Sequence, residues 1–410
     1  MTNRALVFIF LTLLIDTIGF GIVMPVLPNL ISLLSGKGIA EAAIVGGWLA
    51  FAFAITQFFF APVLGNLSDR FGRRVVLLTS LFCFGVDYLI MGFAPTLGWL
   101  LAGRVIAGAA GAAFSPAYAF VADISPPEKR AANFGLLGAA FGLGFILGPA
   151  IGGVLGMLGP RAPFFAAGAL ALANFTFGFF ALPESLPTQS RRAFDWKRAN
   201  PVGTLMQMRK YPVVFGLAGA MLLWQIGHQA LPSTWSFYTM VKFGWSPAMV
   251  GASFACVGVI MALSQGFLTG RIVQRFGEQR AAVIGLLAAA VCYTGYALAN
   301  ESWQVFAWLL PWALAGAAYP SINALMSQQV PATAQGELQG GVASLYSVSS
   351  IVGPPLMTGL LGYFSAASAP IQFPGAPFLC AALLACGSLV LCLRSAPSSI
   401  PVDVASEAVR

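Results

Sequence analysis

Charge is what this sequence has least of. Only 8% of its 410 residues are Asp, Glu, Lys or Arg, against roughly 25% in soluble domains. Hydrophobic residues make up 58%, and the mean hydropathy is +0.84. So little charge cannot coat a water-facing surface, which excludes an ordinary soluble enzyme or binding module. Histidine occurs once, as His228, which excludes a histidine-built metal site. The six cysteines (Cys83, Cys256, Cys292, Cys380, Cys386 and Cys392) lie in apolar stretches without C-x-x-C spacing and read as small buried hydrophobes. The phosphate-cradling pattern G-x-x-x-x-G-K-[ST] is missing, so no nucleotide is expected. The formal charge of +8 does not sit in stretches interleaved with aromatics, so no nucleic-acid partner is expected either. No cofactor, metal or catalytic cluster is foreseen, and the chain does not read as an enzyme.

What is present is long, uniform apolar sequence. Twelve segments stand out, at about 6–30, 44–66, 75–94, 97–121, 132–156, 162–182, 212–236, 247–270, 281–299, 302–325, 338–364 and 375–393. Each is near the ~20 residues that span a bilayer as helix. A membrane β-barrel would show short alternating segments instead. Gly and Pro, at 46 and 26 residues, fit closely packed and bent helices in lipid. The expectation is an all-α integral membrane protein of twelve transmembrane helices in two six-helix halves, 1–183 and 212–394. A central loop, 184–211, joins them, with a short amphipathic segment expected around Phe194 to Met208. The tail 395–410 is small and polar and is expected to be disordered. Arg4 precedes the first apolar run, but no convincing cleavage site stands before Asp16, so that run reads as a retained helix.

The basic residues set the topology. With both termini cytoplasmic, the inner loops hold Arg70, Arg73, Arg74, Lys129, Arg130, Arg275, Arg280 and the central cluster of Arg191, Arg192, Lys197, Arg198, Arg209 and Lys210. The outer loops hold only Lys37, Arg161 and Lys242. That asymmetry satisfies the positive-inside rule, and shifting the count by one helix would destroy it. The segment Gly65–Arg74 after the second apolar run reappears as Gly270–Gln279 after the eighth, 205 residues on, with Arg-Phe-Gly at matching offsets. Two related halves of this kind suit alternating access, with a cavity at their interface.

A few polar residues sit deep in apolar segments. Asp16 lies in the first, Asp87 in the third and Arg104 in the fourth. An ionised side chain at such depth costs several kcal/mol unless it is paired or in a wet cavity. Arg104 cannot shed its charge and needs a carboxylate; Asp16 is the expected partner. A proton or substrate role is expected for all three, with static helix-holding polar contacts as the alternative. His228 suits either proton handling or a plain helix contact. With Trp224, Gln225, Gln229, Trp235, Gln57, Gln265, Asn323 and Gln339 it forms a candidate cavity lining of aromatic rings and amides for a small organic substrate.

These motifs together resemble the major facilitator transporters, in the drug:proton antiporter group, and most closely the tetracycline:proton antiporters. The resemblance rests on the loop Gly65–Arg74, on Arg104 with Gly108, on Gly148-Pro149 with Gly152-Gly153, and on Leu14–Pro28 in the first helix. It implies a gate in which Gly65, Asp69, Arg70, Gly72 and Arg73 act with Asp123: Asp69 capping the eleventh helix, Arg73 pairing with Asp123. It implies an acid at Asp16 and at Asp87, and it marks Gly144, Gly148, Pro149 and Gly152 in the fifth helix as the antiporter motif. Generic small-residue packing is the other reading of those glycines. The sequence departs from the resemblance in the second half: Met261 and Ala289 stand where the tetracycline antiporters carry a histidine and an acid. Proton coupling is therefore expected in the first half, and the departure counts against tetracycline itself.

The expected function is proton-coupled export of a small amphipathic compound or drug, by a carrier in a bacterial inner membrane that works as a monomer among lipids. Uptake or symport of a small metabolite by the same fold is the alternative.

Overall fold

The computed structural model describes residues 2–111, 114–194 and 211–395, and among these the regular structure is all helix, joined by short turns, with no strand. In the first half the helices are α1 (Thr2–Val23), α2 (Leu27–Ser35), α3 (Ile39–Phe71), α4 (Arg73–Phe93), α5 (Leu97–Ala110), α6 (Phe114–Ile124), α7 (Arg130–Leu155) and α8 (Ala162–Ala181). In the second they are α9 (Pro212–His228), α10 (Ala230–Phe243), α11 (Pro247–Leu263), α12 (Thr269–Leu298), α13 (Ser302–Ala315), α14 (Ala318–Ser327), α15 (Gln335–Ser365) and α16 (Ala376–Ser395). The expected amphipathic segment and tail fall outside the described residues, except for Phe194 and Ser395 at their edges.

Among the described residues, nine helical stretches are long and apolar enough to cross a membrane. One of them, Pro247–Leu298, runs through two expected segments as a single 52-residue stretch. It is not one helix: a π-helical turn occupies Ser264–Leu268, and at Gly277 (φ 78°, ψ 165°) the backbone leaves helical geometry, so two helices meet there across a kink. The expected tenth segment is two helices, α13 and α14, that meet end to end. The expected seventh is likewise α9 and α10. The first is interrupted at Met24–Val26, where Pro25 removes a backbone donor and ends the helix. The fifth and eleventh, rich in Gly and Pro, are continuous helices α7 and α15 that carry Pro149, Pro354 and Pro355 internally.

Helix ends are closed by local chemistry. Gly36 and Gly244 end α2 and α10 in the left-handed conformation (φ 67° and 65°). Ser246 caps α11 by accepting from the Met249 amide at 3.3 Å. Arg161 reaches back to the end of α4, donating to the Gly92 and Ala94 carbonyls at 2.7 and 2.8 Å. Each such bond satisfies a backbone group that would otherwise lie bare at a helix end.

Glycines decide how the helices meet. On α7, Gly144, Gly148 and Gly152 form one face against α1: a Cβ on Gly144 would stand 2.6 Å from Thr17, and one on Gly148 would stand 2.7 Å from the Ile18 carbonyl oxygen. A second face of α7 meets α11, where a Cβ on Gly153 would lie 2.7 Å from the Pro247 carbonyl oxygen and Ile146 fills the space beside Gly258. Across the molecule, Gly46 and Gly47 of α3 back onto Phe237 and Thr358, and Gly362 of α15 backs onto Ile44. These contacts all lie toward one end of the helices. Toward the other end the same face of α7 carries Gly135, Gly138 and Gly142, and α12 begins beside Gly266 and Gly270; a Cβ on any of these five would meet nothing within 4 Å among the described residues. The α7–α11 seam is closed at one end and parted at the other.

Candidate substrate and proton site

Asp87 and Arg104 form a buried ion pair through Asp87 Oδ2 and Arg104 Nη2. This corrects the expectation that Arg104 pairs with Asp16. α4 and α5 are antiparallel neighbours joined by a short turn, and Asp87 and Arg104 each sit about two turns from it, so they face one another at one depth. Gly103 makes the fit possible, because a Cβ there would stand 2.5 Å from Asp87 Oδ1. Asp87 is wholly buried, while the Arg104 side chain keeps 13% of its surface accessible. The guanidinium also lies 5.8 Å from the Phe53 ring centre, a cation–π contact. The pair is incompletely satisfied: Asp87 Oδ1 and Arg104 Nε have no partner among the described residues.

Asp16 stands apart on α1, 8% exposed, with no ion pair among the described residues. One turn further on, Gly19 receives the Tyr88 ring, whose Oη lies 3.8 Å from the place a Cβ would take. Tyr88 thus connects the face of α1 that carries Asp16 with the residue next to Asp87. Sequence reading passed over Tyr88; its direct adjacency to a membrane acid was the available signal.

The residues proposed as cavity lining divide into groups. Gln57 Nε2 donates to the Gly111 carbonyl at 3.0 Å, and Gln265 Nε2 to the Gly316 carbonyl at 3.0 Å. Gln229 bonds Ser350 at 2.9 Å and Gln339 bonds Asn323 at 3.4 Å, both between helices. Trp224, His228 and Trp312 form a triangle of near-parallel rings with centres 5.5 to 6.5 Å apart. Beside it, Gln225 Nε2, His228 Nδ1 and the Tyr293 and Tyr296 hydroxyls are buried without a partner among the described residues. Trp235 does not line a cavity: it is 1% exposed, and its indole N–H is taken by Ser253 at 2.9 Å. A large aromatic ring with its polar atom already satisfied packs into the core instead. Met261 is partly buried and Ala289 fully buried, so neither position in the second half offers a titratable group.

The loop Gly65–Arg74 is a compact polar knot. Arg73 donates to Asp69 at 2.6 Å, to Ser68 at 3.0 Å and to Asp123 at 3.3 Å. The Arg73–Asp123 pair is the one the family resemblance implies. Asp69 differs from expectation: its described ion pair is with Arg73, four residues away, rather than with the first turn of α15. Arg70 lies over the Phe71 ring at 5.1 Å, and Gly65 meets no neighbour. Gly72 carries φ 105°, and a Cβ there would collide with the Glu184 carboxylate. Glu184 accepts from the Arg73 amide at 2.9 Å, from Leu186 at 3.0 Å and from Arg74 at 3.3 Å. A carboxylate at the first turn of α4 meets both bare N–H groups and the positive end of the helix dipole. Ser185 adds a bond to Asp123 at 3.0 Å. Sequence reading missed Glu184 and Ser185; the signal was an acid just past a span, opposite a helix start without its own cap. The second copy of the loop repeats the turn, with Gly277 at φ 78° lying 205 residues after Gly72.

The family model of the Major Facilitator Superfamily matches residues 9–310 and 229–408. The tetracycline resistance protein, class C, of Escherichia coli is 40% identical over 88% of this chain and 90% of that protein. The class B protein of the same organism is 36% identical over 84% and 85%. Multidrug resistance protein 2 of Bacillus subtilis is 30% identical over 67% of this chain and 68% of its own length. Among solved structures, the human organic anion transporter MFSD10 (TETRAN) superposes with a TM-score of 0.70 at 24% identity, covering 95% of this chain and 99% of that one. The nucleoside transporter NupG superposes at 0.74 with 13% identity, covering 95% and 98%. By sequence match and by shared helical architecture, this chain belongs to the major facilitator superfamily of multi-pass membrane transporters.

Proposed function

We propose that the chain exports a small amphipathic organic compound in exchange for inward-moving protons, with tetracycline-like compounds among the candidates. The observation that carries this reading is the half-satisfied Asp87–Arg104 pair beside an Asp16 that has no ion pair among the described residues, in a chain similar to tetracycline and multidrug resistance proteins. A proton on Asp87 cancels the charge that holds Arg104 and lets the guanidinium turn to another partner; loss of the proton restores the pair. Asp16, free of any ion pair among the described residues, takes up the second proton-binding role. The half-buried Phe53 and His228 rings, with the buried Trp224 stacked beside His228, supply an apolar, planar surface for the substrate.

The remaining expectations enter on the same footing. The carrier spans a bacterial inner membrane twelve times with both termini in the cytoplasm, and it works as a monomer. The closed end of the α7–α11 seam then lies outward and the parted end inward, so the state seen is inward-open. The polar knot around Arg73 is the inner gate, made and broken with each cycle. Uptake of a small metabolite remains the second reading for one reason: Gly144, Gly148 and Gly152 are fully used in packing against α1, so they do not by themselves fix a direction.

Proteoliposomes decide between the two. Addition of tetracycline and other amphipathic compounds to wild-type vesicles should drive proton movement opposite to compound movement, and Asp87→Asn should abolish it. Compound and protons moving in the same direction, or compound transport without proton movement, would replace antiport by uptake or facilitated diffusion.

A further inference from the structure

Two polar side chains one helical turn from Asp16 have no role in what precedes. Thr12 on α1 and Asn174 on α8 are each 2% exposed, and Thr12 Oγ1 and Asn174 Oδ1 have no hydrogen-bond partner among the described residues. A bare polar atom in a dry interior is costly. The two side chains belong to facing, antiparallel helices. A Cβ on Gly178 would stand 3.2 Å from the Phe8 ring, and one turn on in each helix Asn174 Nδ2 donates to the Thr12 carbonyl at 3.1 Å. A carbonyl only accepts, so this bond fixes which way the amide is turned and leaves Oδ1 on its free side.

Thr12 also departs from the habit of its fellow threonines. Thr17, Thr56, Thr176 and Thr358 each give their hydroxyl to the carbonyl four residues back, at 2.6 to 2.8 Å. The Thr12 hydroxyl makes no such bond to Phe8. Asp16 lies four residues after Thr12, on the same face of α1, and helical side chains lean toward the start of their helix. The Asp16 carboxyl is thus directed at the turn that carries Thr12. Of the helices packed against α1, α8 has no titratable side chain, and α7 has one, Arg130, at its first residue. α6 carries Tyr118 and Asp123, the latter held by Arg73. α4 presents Tyr88 beside Gly19, with the Asp87–Arg104 pair beyond it. On α1 itself the one other charged side chain is Arg4, near the start of the helix.

We propose that Thr12 and Asn174 form a switching hydrogen-bond seat for the Asp16 carboxyl. With a proton on Asp16, its O–H donates to Thr12 Oγ1, and the Thr12 hydroxyl donates to Asn174 Oδ1. Without that proton, the Thr12 hydroxyl turns back and donates to the carboxylate. Such a chain works because a hydroxyl donates and accepts at once, an amide oxygen only accepts, and a carboxyl becomes a donor on protonation. Thr12 keeps its own proton throughout; the proton that Asp16 gains or loses passes to or from water. Asn174 acts through Thr12 and favours the protonated form, because only that form gives Oδ1 a partner. Both are positioning residues, and the proposal rests on the reading of Asp16 as a proton-binding group.

Infrared titration of the purified full-length protein in nanodiscs tests this without substrate or transport. The carboxyl band that appears on acidification and is missing in Asp16→Asn reports the proton on Asp16. Asn174→Leu should weaken proton binding at Asp16 about fivefold, the factor that one ordinary hydrogen bond is worth. In a Thr12→Val background the same change should have no effect, since the amide reaches Asp16 only through the hydroxyl; in Thr12→Ser the fivefold effect should return. Should Asn174→Leu fail to fold, Asn174→Ala takes its place in all three backgrounds. An Asp16 band unmoved by Asn174→Leu, or moved equally with and without the Thr12 hydroxyl, would overturn the seat and leave the proton role of Asp16 standing. No titrating Asp16 band in the wild type would overturn both.

Discussion

Removing Arg104 tests the Asp87–Arg104 pair most directly. In Arg104→Leu the wholly buried Asp87 keeps its carboxylate and loses its counter-charge. Breaking a buried pair from one side costs about 3–5 kcal/mol, because an uncompensated charge is left in a low-dielectric place. Asp87 Oδ1 already lacks a partner, so Oδ2 has no second bond to fall back on. Arg104 is 13% exposed on its side chain, which puts the expected cost toward the lower end, about 3 kcal/mol. That corresponds to roughly a hundredfold in the folded-to-unfolded ratio. Adding Asp87→Asn to Arg104→Leu removes the buried charge and should return most of the loss, since a neutral amide in that place costs about 1–3 kcal/mol at most. Thermal unfolding followed by size-exclusion fluorescence, with wild type, both single variants and the double variant side by side, reads this directly. A double variant no more stable than Arg104→Leu would mean that the pair is not a charge pair in energetic terms, and the proton-coupling argument built on it would go too.

Three further outcomes follow from the geometry. Gly103→Ala places a methyl 2.5 Å from Asp87 Oδ1; it should cost about 1–3 kcal/mol as overpacking and abolish proton movement with little loss of folded protein, checked by expression level and vesicle flux. Glu184→Ala removes the acceptor of three backbone amides and should cost about 1–3 kcal/mol, with faster proteolysis after Arg73 or Arg74 as the signature; unchanged cleavage would remove Glu184 from the gate. Gly148→Val drives a branched side chain into α1, where a Cβ alone stands 2.7 Å from the Ile18 carbonyl oxygen. It should lower thermal stability by about 1–3 kcal/mol, whereas Gly138→Val on the parted end of the same helix should be tolerated in folding and slow transport.

Much was legible from sequence because lipid imposes a simple rule: any spanning segment must satisfy its own backbone, so long uncharged apolar runs have to be helices. The same rule made Asp16, Asp87 and Arg104 visible, since each is costly where it stands. The repeat at 205 residues and the glycines of α7 were likewise open to reading, and Arg73 meets Asp123 as the resemblance implied.

Partnership was not legible. Which acid Arg104 takes depends on α4 and α5 being direct neighbours and on the missing Cβ of Gly103, neither of which periodicity reveals. Trp235 looked like a cavity ring until its indole N–H was found on Ser253. Gln57 and Gln265 looked like substrate amides until each was seen bonded to a carbonyl at a helix end. Composition decides which groups are expensive to bury, because that cost belongs to the residue. The fold alone decides which neighbour meets the cost, because that depends on distances of a few ångströms between helices far apart in the chain.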